Sequence, residues 1–215
     1  MKSALKKIVW LVIAAPAVYL AFAWDQLPEK IAMQFDLHGN PTRYDNKIAL
    51  IWLVVLNVGV YLLVTNIYRI DPKKYAAENK DRLSRIAFAI AVFMSALQFL
   101  SIYTNTNESV RLNMNLLFPA LGILFAVIGN YLPNLKPNYF AGLRLPWTLE
   151  NEENWRKTHA LAGKLWFTGG LVLAVTCLFT PARLSMIFFF LVMFVIVMIP
   201  IVYSYLLFKK HKPIN

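Results

Sequence analysis

The sequence predicts an all-α polytopic membrane protein of six transmembrane helices, with both termini cytoplasmic. Three observations predict it. Of 215 residues, 59% are hydrophobic and only 15% charged, against about 25% charged in an average soluble domain. Six apolar runs approach the roughly 20 residues that a helix needs to cross about 30 Å of hydrocarbon. Seventeen of the 22 Lys and Arg residues fall in the termini and the second and fourth loops, which the positive-inside rule assigns to the cytoplasm. The net charge of +11 is thereby a topology signal and does not require direct nucleic-acid binding. Open strands in lipid would leave backbone groups unpaired, so the spans are read as helices.

The first span runs near Ile8–Trp24. Its basic preface "MKSALKK" and Ala21-Phe22-Ala23 imitate a secretory signal and its cleavage site, but the apolar run is long for that role, and a retained span is expected. The first loop, residues 25–47, is expected outside. Its "KIAMQFD" alternates, with Ile31, Met33 and Phe35 on one face and Ala32, Gln34 and Asp36 on the other, the period of a short strand. "HGNP" then marks a turn. Such a loop is either a cap over the helix ends or a docking surface for something arriving from outside.

Spans two to four run near Ile48–Tyr68, Ile86–Thr104 and Leu112–Leu132. In the loop that follows, Pro133 and Pro137 stop the helix, and Tyr131, Tyr139 and Phe140 suit the interfacial belt. Gly142 permits a turn, and Arg144 is expected over the face of Trp147. Asn151 is a good N-cap with Glu152 and Glu153 in the first turn. Glu152 with Arg156, and Glu153 with Lys157, have ion-pair spacing. Trp155, His159, Ala162 and Trp166 form one stripe, which predicts a helix lying along the interface before turning into the fifth span at Gly163. The plain reading of this loop is an anchor. The fifth and sixth spans run near Leu165–Thr180 and Leu184–Phe208, and Pro200 is expected to kink the last without ending it.

Little here suggests catalysis. The lone cysteine, Cys177, reads as a small packing residue. His38, His159 and His211 are too scattered for a metal site, and neither a nucleophile–base pair nor a phosphate-cradling glycine loop appears. No cofactor and no enzyme activity are expected. The polar residues within spans are Asn57, Asn66, Gln98 and Asn115. The lack of ionisable groups there counts against an ion-coupled pump and leaves a passive pathway or a binding groove open.

Leu27-Pro28, Phe35 and Pro41 align with Leu132-Pro133, Phe140 and Pro146 at a constant offset. The chain is accordingly divided into halves, 1–111 with the loop 25–47 and 112–215 with the loop 133–164, that are candidates for a 3+3 inverted repeat.

The stretch "GNYLPNLKPNYFAGLRLPWTLENEENWRKTHALAGKLW" closely resembles the signature of the SdpI-type immunity proteins, and "LPEKIAMQFDLHGNP" resembles the small domain of unknown function often found at their front. The shared positions include Asn130, Pro137, Asn138, Arg144, Pro146, Trp147, Thr148, Trp155, Lys157, Thr158 and His159. Leu145 departs where Thr is expected, and Ala160 where a basic residue is common. The resemblance implies a multi-pass protein of the bacterial cytoplasmic membrane that neutralises an extracellular toxic peptide of the sporulation-delaying kind. It also implies capture of a cytoplasmic transcriptional repressor where such a partner exists. On this reading Ile31, Phe35, Gly39 and Pro41 face the toxin, and the shared positions form the cytoplasmic site. The alternatives are a small transporter or channel built on the inverted repeat, and a bare membrane sensor that sequesters a regulator.

Overall fold

The computed structural model describes residues 3–73, 75–107 and 114–211. Among the described residues are seven α-helices and one β-hairpin: α1 Ser3–Ala23, β1 Lys30–Phe35, β2 Pro41–Asn46, α2 Ile48–Asn66 and α3 Lys80–Thr106, then α4 Leu117–Tyr131, α5 Pro146–Glu150, α6 Glu152–Thr176 and α7 Ala182–His211. Five of them, α1, α2, α3, α4 and α7, are long and apolar enough to cross a membrane. Their outer faces carry exposed Phe22, Leu56 and Phe194, as lipid contact requires. The expected fifth span is the second half of α6. That helix is 25 residues long, but it carries Glu152, Glu153, Arg156, Lys157 and Lys164, which leaves an uncharged part, Leu165–Thr176, of about 18 Å at 1.5 Å per residue.

The fold is mostly helical rather than all-α, because the first loop folds as an antiparallel hairpin pairing Lys30 with Asn46 and Phe35 with Pro41. Its turn is built by Asp36. That carboxylate accepts the backbone N–H groups of His38 and Asn40, both at 2.8 Å, and the Asn40 side-chain amide at 3.0 Å. Those bonds, the Asn40 amide first, hold the Asp36 carboxyl below its usual range. Gly39 supplies the positive φ of 78° that the turn needs.

The helices gather into two groups of three. In the first, α3 packs against α1 and α2. Asn57 reaches from α2 to Ser95 Oγ at 3.0 Å, and Gln98 Nε2 reaches from α3 to the Leu53 carbonyl at 2.8 Å, so two in-span polar residues tie neighbouring helices. In the second, α6 packs against α4 and α7. Cys177 is fully buried with Phe118 and Leu173, a packing residue as expected. The loops matched at constant offset fold differently, one into two strands and the other into a turn and a short helix.

The α4–α6 contact is made through glycine. A Cβ on Gly170 would lie 2.5 Å from Ala126 N and Gly122 O, and one on Gly122 would lie 2.6 Å from Ala174 N. A Cβ on Gly129 would strike Phe167 N, and one on Gly163 the ring of Pro133. Gly163 is thus no turn between two helices, as the sequence suggested: α6 runs straight through it. Two antiparallel helices with small residues seven apart bring their backbones into direct contact, the close packing that drives helix association in lipid. Gly170→Leu should lower stability by roughly 3 kcal/mol or more, since backbone stands on the far side. Gly59→Leu, whose Cβ would meet nothing within 4 Å, should be neutral. Apparent melting temperatures in detergent test the contrast, and equal behaviour of the two variants would refute the seam.

Candidate functional site

The segment between α4 and α6 folds into a closed unit at one end of the bundle. Pro133 and Pro137 end the helix, and Asn138 then organises the turn. Its Oδ1 accepts the N–H of Phe140 at 2.9 Å and of Ala141 at 2.6 Å, while its Nδ2 donates to the Lys136 carbonyl at 2.9 Å. Gly142, at φ 97°, reverses the chain against the Nε2 edge of His159, which any Cβ would strike. The Leu143 N–H donates to that nitrogen at 3.0 Å. Nδ1 lies 2.9 Å from the Trp155 carbonyl, which can only accept, so Nδ1 carries the proton and the ring is neutral. Trp155 stacks on the imidazole with centroids 3.9 Å apart, and its indole donates to the Leu135 carbonyl at 2.8 Å.

Short α5 follows. Pro146 opens it, and Thr148 closes its first turn by accepting the Leu145 N–H at 2.9 Å and turning its hydroxyl to the Leu143 carbonyl at 2.8 Å. Asn151 caps α6 by accepting the Asn154 N–H, and Lys157 pairs with Glu153 at 2.7 Å, both as the sequence predicts.

Two expectations are corrected. Arg144 does not lie over Trp147: its guanidinium donates to the Tyr139 carbonyl at 2.7 Å. Trp147 turns to α7, where its indole N–H finds Ser204 Oγ at 3.0 Å and its ring packs on Tyr205 and Phe208. A half-buried indole needs an acceptor, and Arg144 could not supply one. The stripe Trp155, His159, Ala162 and Trp166 is not an interfacial face either: Trp166 is half-buried against the cluster of Leu132, Leu135 and Ala162, and the first three go deeper. All three are buried, because residues 135–143 fold back over them.

Asn154, Thr158 and Ser204 form a further buried chain, from Thr158 Oγ1 to Asn154 Oδ1 at 2.9 Å and from Asn154 Nδ2 to the Ser204 carbonyl at 2.9 Å. Of the predicted positions, Pro137, Asn138, Thr148, Trp155, Thr158 and His159 are buried, Trp147 and Lys157 half-buried, and Asn130, Arg144 and Pro146 exposed. The buried ones build the unit and the exposed ones are its surface. Leu145 and Ala160, where the chain departs from the family pattern, are both half-buried.

Sequence reasoning missed the partners that hold this unit to the rest of the chain. Asn79 is fully buried. It accepts the Lys136 N–H at 2.9 Å and returns its amide to the Lys136 carbonyl at 3.1 Å. Asp71 accepts the Tyr139 N–H at 3.0 Å, and Lys73 donates to the Leu149 carbonyl at 2.8 Å. At the opposite end of α3, Asn105 does for the hairpin what Asn79 does here, accepting the Ala32 N–H at 2.7 Å and donating to its carbonyl at 3.1 Å. Beneath the hairpin, Ile31 is buried among Leu20, Leu27, Leu50 and Ile102. Phe35 is half-buried, Gly39 lies in the turn, and Pro41 is exposed.

Residues 134–204 match the SdpI/YfhL protein family, and residues 11–58 match a domain of unknown function, DUF1648. The first stretch ends at Ser204, the residue on which Trp147 and Asn154 converge. The family match covers about a third of the chain. The chain is also similar to "Immunity protein SdpI" of Bacillus subtilis (strain 168), 27% identical over 188 residues that cover 87% of each chain. No solved structure matches it. The family segment is therefore the closed unit together with its two supporting helices, α6 and most of α7.

Chemically, the unit is a device for rigidity. Both nitrogens of His159 are engaged with backbone, so it has no free site for proton transfer. Burial pushes its pKa from 6.5 down to about 4, against the raising influence of the Trp155 carbonyl. The unfolded chain takes up a proton near pH 6.5 that the folded unit refuses until about pH 4. Stability is therefore full above pH 6.5 and falls as pH drops toward 4, by at most about 3 kcal/mol. Purified protein should show a lower apparent melting temperature at pH 5 than at pH 7.5. His159→Asn should start lower and lose most of that difference. A variant with the parent's full acid sensitivity would show that another group is responsible.

Proposed function

We propose that this protein is a membrane immunity protein that protects the cell against an extracellular toxic peptide, without enzymatic chemistry. The observation that carries the reading is the similarity to an immunity protein over 87% of each chain, joined to a family segment that folds as one closed unit. Six spans are part of the proposal, with the apolar half of α6 as the fifth in chain order, close-packed between α4 and α7. The distribution of Lys and Arg supports both termini and the family segment facing the cytoplasm and the hairpin facing outward. On this orientation the hairpin surface around Phe35 and Pro41 meets the peptide, seated by buried Ile31 and turned by Gly39. The exposed rim of Arg144, Pro146 and Asn130, with half-buried Lys157 beside it, is the surface offered to a cytoplasmic transcriptional repressor.

The grouping of the helices into two threes, with a groove between them, favours a second reading: a small transporter or channel of inverted-repeat architecture. The two are separated by function. In sensitive cells challenged with a sporulation-delaying-type peptide, the protein should preserve membrane potential, while purified protein in liposomes should move no solute. Collapse of the potential despite normal amounts in the membrane, together with measurable flux, would favour the transporter. Arg144→Ala, which removes one hydrogen bond to the exposed Tyr139, should accumulate normally and lose repressor capture. Failure of that variant to accumulate would make Arg144 structural.

A further inference from the structure

Two apolar cavities lie between α3 and α4. One, of about 520 Å³, is walled by Met33 and Phe35 of the hairpin and by Leu97, Gln98 and Ser101 of α3. The other, of about 510 Å³, continues it toward Arg85 and Tyr131. Phe93, Ala96 and Ala120 belong to both, so the two form one groove along the seam between the helix groups. From Ser101 to Arg85 it follows α3 for about 24 Å at 1.5 Å per residue, most of the depth of a hydrocarbon core.

Three features indicate what the groove is shaped to hold. Ala89 and Ala96 stand seven residues apart on α3 and both line it. That is the spacing at which Gly122 with Gly129, and Gly163 with Gly170, bring α4 and α6 together. Small residues at this interval admit a helix backbone, and none of the described helices fills the place. Second, Gln98 is only 3% exposed, and its Oε1 has no hydrogen-bond partner, its amide nitrogen being bound to the Leu53 carbonyl. An acyl chain offers no donor to that oxygen, whereas a peptide bearing Ser, Thr, Lys or Trp does. An acceptor left unpaired in such surroundings is unfavourable, and a donor-bearing occupant would relieve it. Third, the groove opens beside the hairpin, whose Phe35 and Met33 form its mouth.

We propose that the groove between α3 and α4 is the seat of the toxic peptide: an apolar helical stretch of it lies there as an added membrane helix, entering past Phe35 and Met33 and hydrogen-bonding Gln98 through a side-chain donor. This rests on the immunity reading. It gives that reading a mechanism, in which the peptide is held as a protein-bound helix and withheld from the bilayer.

The test places a photo-crosslinking phenylalanine at Leu97 on the groove wall and, as control, at Phe194, which is 66% exposed on α7 and outside the groove. Both full-length proteins are challenged in cells with a sporulation-delaying-type peptide. Adducts with peptide at Leu97 and not at Phe194 are expected. Alongside, Ala96→Phe, which fills the groove, should lower the tolerated peptide dose by at least about tenfold at unchanged membrane amounts, a loss of about 1.4 kcal/mol in binding. If the parent protein protects but Leu97 yields only phospholipid adducts and Ala96→Phe protects as well, the groove is a lipid site: the seat is overturned and the immunity reading stands. If the parent protein gives no protection, the immunity reading fails and the seat fails with it.

Discussion

The structure depends on α3 being fastened at both ends by an asparagine that grips a single backbone residue. Asn105 holds both polar groups of Ala32 in the hairpin, and Asn79 holds both of Lys136 in the family segment. Each clamp imitates one rung of a β-ladder with a side chain. Each also closes a long loop in sequence, 73 residues in one case and 57 in the other. A buried hydrogen bond of this kind contributes about 0.5–1.5 kcal/mol net, while stranding its partner costs about 1–3 kcal/mol. Two such bonds at one residue therefore fix the position of a segment more firmly than its own propensity would. With α3 as the spacer, the hairpin and the family segment stand a fixed distance apart, and the groove runs between them.

Around the Asn79 clamp, polarity is converted into rigidity. Asn138, Thr148, Asn154, Thr158 and His159 are buried, and all five find partners within reach. The exposed groups carry both signs, Lys136, Arg144 and Arg156 alongside Glu150, Glu152 and Glu153. A site made this way presents a preformed surface, so a partner docking there has little ordering entropy to overcome. The hairpin end is built on the same logic with apolar means: Ile31 sinks into the helix ends and leaves Phe35 and Pro41 nearer the surface.

Local features were legible in the sequence. The five long apolar helices, the N-cap at Asn151, the Glu153–Lys157 pair, the turns at Gly39 and Gly142 and the packing role of Cys177 follow from neighbours close in the chain, and the family resemblance rested on such residues. The second strand was not legible: "PTRYDN" is exposed at all six positions and so carries no alternation. Nor were the clamps, because an Asn at the end of a span looks the same whether it meets water or a carbonyl 57 residues away. Trp147 was assigned to Arg144 because they are near in sequence, and Ser204 won through tertiary proximity. The buried stripe of α6 was mistaken for an interfacial face because a segment folded over a helix and a membrane under it demand the same apolar pattern.

Hydrogen–deuterium exchange of the full chain in lipid nanodiscs, for the parent, Asn105→Ala and Asn79→Ala, tests the central claim most directly. The account predicts that Asn105→Ala loses protection in the hairpin around Ala32 and leaves residues 134–143 unchanged, that Asn79→Ala does the reverse, and that the middle of α3 stays protected in both. Exchange indistinguishable from the parent in both variants would contradict it, and would mean that the two loops hold their places without α3.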